Sequence, residues 1–170
     1  DGNNASVVSS DGNKTTVQMG SGYRGDLWLA RSGKGKIVNV TPADYRYFAI
    51  KVGFKSQLVP GKNKPNGCIK LEIFDDGIKK VGPEYFGTGG DANNRYEILG
   101  ASEISTTEPN VLYYDLQSKY KTVTPTDWNQ VFDLSQCKFV IADFPETAQT
   151  YDLYWIRSFK SIEELQAFVD

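Results

Sequence analysis

Short runs of β-branched and aromatic residues, each closed by Gly, Pro, Asn or Asp, recur from one end of the chain to the other, and no long helical period interrupts them. Strands and turn signals at this spacing predict an all-β chain, a two-sheet antiparallel β-sandwich of jelly-roll type. The expected strands are Ala5–Ser9, Thr15–Met19, Asp26–Arg31, Lys36–Val40, Tyr47–Phe54, Cys68–Phe74, Ile78–Val81, Tyr96–Leu99, Val111–Leu116, Lys138–Phe144 and Tyr151–Phe159. Period-two alternation is clearest where Phe48, Ile50, Val52 and Phe54 share one face and where Ile69, Leu71 and Ile73 share another. Asp75-Asp76-Gly77 predicts a tight hairpin, because Asp and Gly tolerate positive φ. At 170 residues, with no linker or repeat, the chain reads as one domain over 1–170.

One helix is expected, Ser161–Val169. Ser161 caps the N–H three residues on, Glu164 reaches back to the Ser161 N–H, and Ile162, Leu165 and Phe168 or Val169 form an apolar stripe. So short a helix is marginal alone and should dock on the strands. In the strand before it, strict alternation places Tyr151, Leu153, Trp155 and Arg157 on one face and Asp152, Tyr154, Ile156 and Ser158 on the other. Trp155 with Arg157 reads as a core Trp with Arg at the rim, or as a stacking pair on an open face.

The chemistry open to the chain is narrowed by what it lacks. With no histidine, the Ser–His–Asp and Cys–His triads and the histidine zinc sites are excluded. Cys68 and Cys137 each open a strand-like run, and neighbouring antiparallel strands begin at opposite ends of a sheet, so two free buried thiols are expected rather than a disulfide. Nineteen basic against twenty-one acidic residues, with no basic block, argue against a nucleic-acid partner. No apolar run approaches a membrane helix, so the chain is not expected to span a membrane. Paired carboxylates could serve a glycoside hydrolase, but Asp75-Asp76 lies in a turn and Glu163-Glu164 on a helix, while Glu84 with Asp91 or Asp143 with Glu146 are coincidences that twenty-one acids supply. A non-enzymatic domain is therefore expected.

Aromatics reach 13%, more than a Val, Ile and Leu core needs, which leaves some for binding. The stretch 82–95 reads as a long loop with Tyr85 and Phe86 among glycines, followed by Asn93, Asn94 and Arg95. Sugar rings present an apolar face rimmed by hydroxyls, so aromatic plates beside amide and guanidinium groups suit them. The alternative is that Tyr85 and Phe86 plug the end of the sandwich. Trp128, after Thr124-Pro125-Thr126-Asp127, is either a second plate or an edge plug, and Trp28 stands on the face opposite Leu27 and Leu29. No motif requires a cofactor; Asp91, Asn93 and nearby carbonyls could hold a structural calcium ion.

Three segments carry a resemblance: Tyr45-Arg46-Tyr47-Phe48-Ala49-Ile50-Lys51, Tyr113-Tyr114-Asp115-Leu116, and Tyr154-Trp155-Ile156-Arg157-Ser158-Phe159-Lys160-Ser161 leading into Glu163-Glu164-Leu165. With these the chain resembles uncharacterised secreted β-sandwich domains of polysaccharide-degrading gut bacteria, similar to jelly-roll carbohydrate-binding modules. The resemblance implies a secreted, periplasmic or cell-surface setting, an oligo- or polysaccharide partner, and neighbouring domains in a larger secreted protein. A structural or adhesion domain without a small-ligand site is the alternative, and a glycoside hydrolase the third.

Overall fold

The computed structural model describes residues 2–3, 5–20, 24–30, 39–40, 44–55, 68–74, 84–86, 96–115, 132–133, 136–142 and 150–170. Their strands are β1 Gly2–Asn3, β2 Ala5–Ser10, β3 Thr15–Met19, β4 Arg24–Ala30, β5 Asn39–Val40, β6 Tyr47–Phe54, β7 Cys68–Phe74, β8 Glu84–Phe86, β9 Glu97–Ile98, β10 Asn110–Asp115, β11 Phe132–Asp133, β12 Gln136–Ala142 and β13 Thr150–Phe159. Among the described residues one helix, α1 Ile162–Val169, follows them. The fold is all-β. Among the described residues one sheet has the order β2-β3-β13-β6-β10-β9, a second β1-β4-β12-β7-β8, and β11 pairs with β5. Each of these pairings is antiparallel.

β3, β6 and β7 have the bounds their alternation predicts. The structure adds β1, β8 and β11, which are two or three residues long and leave too little pattern to read. Ile78–Val81 and the Asp75–Gly77 turn lie outside the described residues. Ile73 of β7 faces Glu84 of β8 on one side and Cys137 of β12 on the other.

The six-stranded sheet has a buried core face. Phe48, Ile50, Val52 and Phe54 point there from β6, joined in register by Leu112 and Tyr114 of β10, Tyr151 of β13 and Val17 of β3. Each such large apolar side chain contributes about 2 kcal/mol by leaving water. At the start of β10 the buried Asn110 amide donates to the Ser105 carbonyl at 2.9 Å, and its Oδ1 accepts the Ser105 N–H at 2.7 Å. That reciprocal pair satisfies a polar group that burial would otherwise penalise.

β13 departs from strict alternation. Leu153 faces Val52 but Trp155 faces Lys51, so Tyr154 is an inserted bulge residue. Tyr151, Leu153, Ile156 and Ser158 therefore fall on the core-face register, while Asp152, Trp155, Arg157 and Phe159 fall on the other. The expected face of Tyr151, Leu153, Trp155 and Arg157 is thus split, because one extra residue reverses every side chain beyond it.

The second face is covered at one end by α1. Leu165, Phe159, Ala49 and Val111 form a buried cluster with Tyr47, Leu99, Tyr113 and Trp155 around it. Phe168 meets the Trp155 ring edge-on, with centroids 5.2 Å apart, and the Arg157 guanidinium lies 4.4 Å from the Phe168 centroid. Trp155 and Arg157 therefore pack against the helix rather than forming an open pair. Ser161 caps α1 as expected, its Oγ accepting the Glu164 N–H at 3.1 Å. Glu164 reaches back one residue further than the expected box, accepting from the Lys160 N–H at 2.6 Å. The same end of the sheet is clasped by Arg46, whose guanidinium makes two bonds to Asp115, at 2.8 and 2.7 Å.

The register also separates the cysteines. Cys68 faces Ala142, which lies five positions along β12 from Cys137, so roughly 17 Å of strand divides them. That exceeds the reach of a disulfide.

Two outcomes are expected. Leu165→Ala should cost about 3 kcal/mol in urea unfolding, as for other buried Leu truncations, and a loss below about 1 kcal/mol would mean that α1 is not docked. Monomer purified without reductant and then denatured should titrate two thiols per chain, whereas none would show that Cys68 and Cys137 are joined.

Candidate functional site

Two sheet faces gather the groups a binding site needs. On the five-stranded sheet, Leu27, Phe139, Leu71 and Phe86 lie in one register row across β4, β12, β7 and β8. Leu27 in this row is buried. The adjacent row holds Trp28, Lys138, Glu72 and Tyr85, and by alternation it belongs to the opposite face. Two aromatic positions thus stand three strand spacings apart, roughly 14 Å, with a Lys and a Glu position between them.

This geometry changes the grouping read from the sequence. Tyr85 and Phe86 are on a strand rather than in a loop, and neighbours on a strand cannot serve one face. Phe86 falls in the register row of Leu27, and Tyr85 in the row of Trp28. Asn93, Asn94, Arg95 and Trp128 lie outside the described residues, as does Asp91. Among the described residues no three His, Cys, Asp or Glu side chains are gathered as metal ligands would be, and no helix is long and apolar enough to cross a membrane.

The second face is the far end of the helix-bearing side of the six-stranded sheet. Its centre is Asp152, a carboxylate only 5% exposed. Oδ1 accepts the Thr16 hydroxyl at 2.6 Å and lies 3.6 Å from Lys55 Nζ, and Oδ2 accepts from Lys14 Nζ at 2.8 Å. Lys14 is presented by the β2–β3 turn. Gly12 supplies φ +88°, and Asp11 Oδ1 accepts the Asn13 and Lys14 N–H groups, both at 2.9 Å. Those two bonds hold the Asp11 carboxyl below its ordinary range. Burial alone would raise Asp152, but the Lys14 and Thr16 hydrogen bonds and the Lys55 and Lys14 charges outweigh it, so Asp152 also titrates below its ordinary value. Lys14 is pushed up, first by its hydrogen bond to Asp152.

Sequence reasoning missed this cluster. Lys14, Thr16, Lys55 and Asp152 are scattered through the chain and meet only because β3 and β6 both pair with β13. The one available signal was Asp152 itself, an acid inside an aromatic strand.

Comparison with known proteins gives one match. The model of DUF4979, a domain of unknown function, covers residues 1–165. The chain belongs to the DUF4979 family. No curated protein and no solved structure matches it. For this DUF4979 chain, both candidate faces therefore rest on its own geometry.

A depressed carboxyl stabilises the fold above its unfolded value, near 3.9, and that contribution is lost as pH falls through the folded value. Asp152→Asn should therefore be less stable than the wild type at pH 7, with the difference closing as pH falls below about 4. Melting curves from pH 7 to pH 2 test this; a constant difference would mean that the Asp152 charge contributes nothing.

Proposed function

We propose that this chain is a non-catalytic glycan-binding module whose primary platform is the row Trp28–Lys138–Glu72–Tyr85. The row itself carries the reading: aromatic positions at both ends suit stacking on sugar C–H faces, and the charged positions between them suit hydroxyl groups. Asn93, Asn94, Arg95 and Trp128 join the binding surface on sequence grounds. The proposed architecture is a jelly roll with the two sheets stacked face to face. Successive strands support it, since β3, β6, β10 and β13 belong to the six-stranded sheet and β4, β7 and β12, between them in the chain, to the five-stranded one. Each sheet also has a buried position to cover, Leu27 on one and Ile50 on the other. The proposed setting is secreted, periplasmic or cell-surface, within a larger protein.

A glycan array followed by calorimetry tests the reading. Trp28→Ala and Tyr85→Ala should each weaken binding at least about tenfold, the loss of one stacked aromatic. Binding to no glycan would favour a structural or adhesion domain, and binding undiminished in both variants would remove the platform.

A further inference from the structure

The bulge in β13 has a second effect. It turns Tyr154 and Trp155 onto the same side of the six-stranded sheet, Trp155 under α1 and Tyr154 beyond the helix. Tyr154 rests against Gly53, where a Cβ would lie 3.4 Å from its Cε2 and 3.7 Å from its Oη. An alanine Cβ at position 53 would be in van der Waals contact with the ring. Lys51 and Lys55 stand two residues to either side of that glycine, each about 7 Å along the strand direction. Lys51 Nζ is 5.7 Å from the Tyr154 ring centroid. Lys14 enters from the β2–β3 turn.

Two ammonium groups, those of Lys14 and Lys55, thus meet one carboxylate, and a third, that of Lys51, lies over the neighbouring ring. Asp152 has both oxygens engaged, by Thr16, Lys55 and Lys14, and is nearly buried, so it anchors the lysines rather than facing solvent. Among the described residues no carboxylate pairs with Lys51, and Lys55 has only the longer contact to Asp152. What remains among the described residues is a half-buried aromatic ring with Lys51 over it and Lys55 two residues beyond the glycine, and three lysines against the carboxylates of Asp152 and Asp11. Bulges are over-represented next to active sites, where they re-aim a side chain.

We infer that this patch is a second binding site, for an anionic saccharide unit. The Tyr154 ring takes the apolar face of the sugar, and Lys51 and Lys55 take its carboxylate or sulfate. The ligand class follows the glycan reading above; the location is independent of it, since this site lies on the other sheet.

The test uses calorimetry of the full chain against polygalacturonate, dextran sulfate and neutral dextran at low and moderate salt. Lys51→Gln/Lys55→Gln and Tyr154→Ala are the variants, with Lys14 and Asp152 left intact and unchanged melting required. Wild type should bind at least one polyanion, more weakly as salt rises, and both variants should lose at least tenfold while Trp28→Ala does not. Binding to polygalacturonate alone assigns the carboxylate, and to dextran sulfate alone the sulfate. Failure to bind either polyanion overturns the site. Binding retained in Tyr154→Ala overturns it too, as plain charge attraction without a sugar seat. Neither result touches the Trp28–Tyr85 platform, which fails only if glycan binding survives its own substitutions.

Discussion

β13 and β6 pair from Tyr151 against Phe54 to Phe159 against Tyr47, at the centre of the six-stranded sheet, and this ladder organises what lies around it. β6 brings the most regular apolar alternation in the chain, so the register is strongly specified: a slip by one residue would turn Phe48, Ile50, Val52 and Phe54 toward water. β13 brings an aromatic sequence with no polar face of its own. The mismatch is resolved by one bulge at Tyr154, which lets β13 keep Tyr151 and Leu153 on the core-face register before it and Ile156 after it. The bulge is what makes an otherwise unreadable strand compatible with a one-sided core.

The outward side of the same ladder is divided in two by chemistry. Toward the C-terminal end of β13, Trp155 and Phe159 are apolar enough to need cover, and α1 supplies it through Leu165 and Phe168. A helix of eight residues is too short to persist by itself, so docking and capping support each other. Toward the N-terminal end the side chains are Asp152, Lys51 and Lys55, which no helix could bury cheaply. That end is left to water and to the ion-paired cluster around Asp152.

On the five-stranded sheet the same alternation sorts the aromatics. Phe86 falls into the row of buried Leu27, and Tyr85 into the row of Trp28. Two adjacent aromatics that look like one platform are thereby assigned to opposite faces. Trp28, fifty-seven residues earlier in the chain, shares the register row of Tyr85.

By itself the sequence determined the elements whose information is local. The bounds of β3, β6 and β7 follow from side-chain period, the cap of α1 from Ser161 and the spacing to Glu164, and the separation of Cys68 from Cys137 from the antiparallel rule. The all-β class follows from the same period and the turn residues. Only the tertiary structure decided which residues stand side by side. The bulge at Tyr154, the two-residue and three-residue strands, the row from Trp28 to Tyr85 and the meeting of Lys14, Lys55 and Asp152 all depend on pairing between distant segments. Pairing is chosen by burial across whole sheets, and a single strand carries only its own half of that choice.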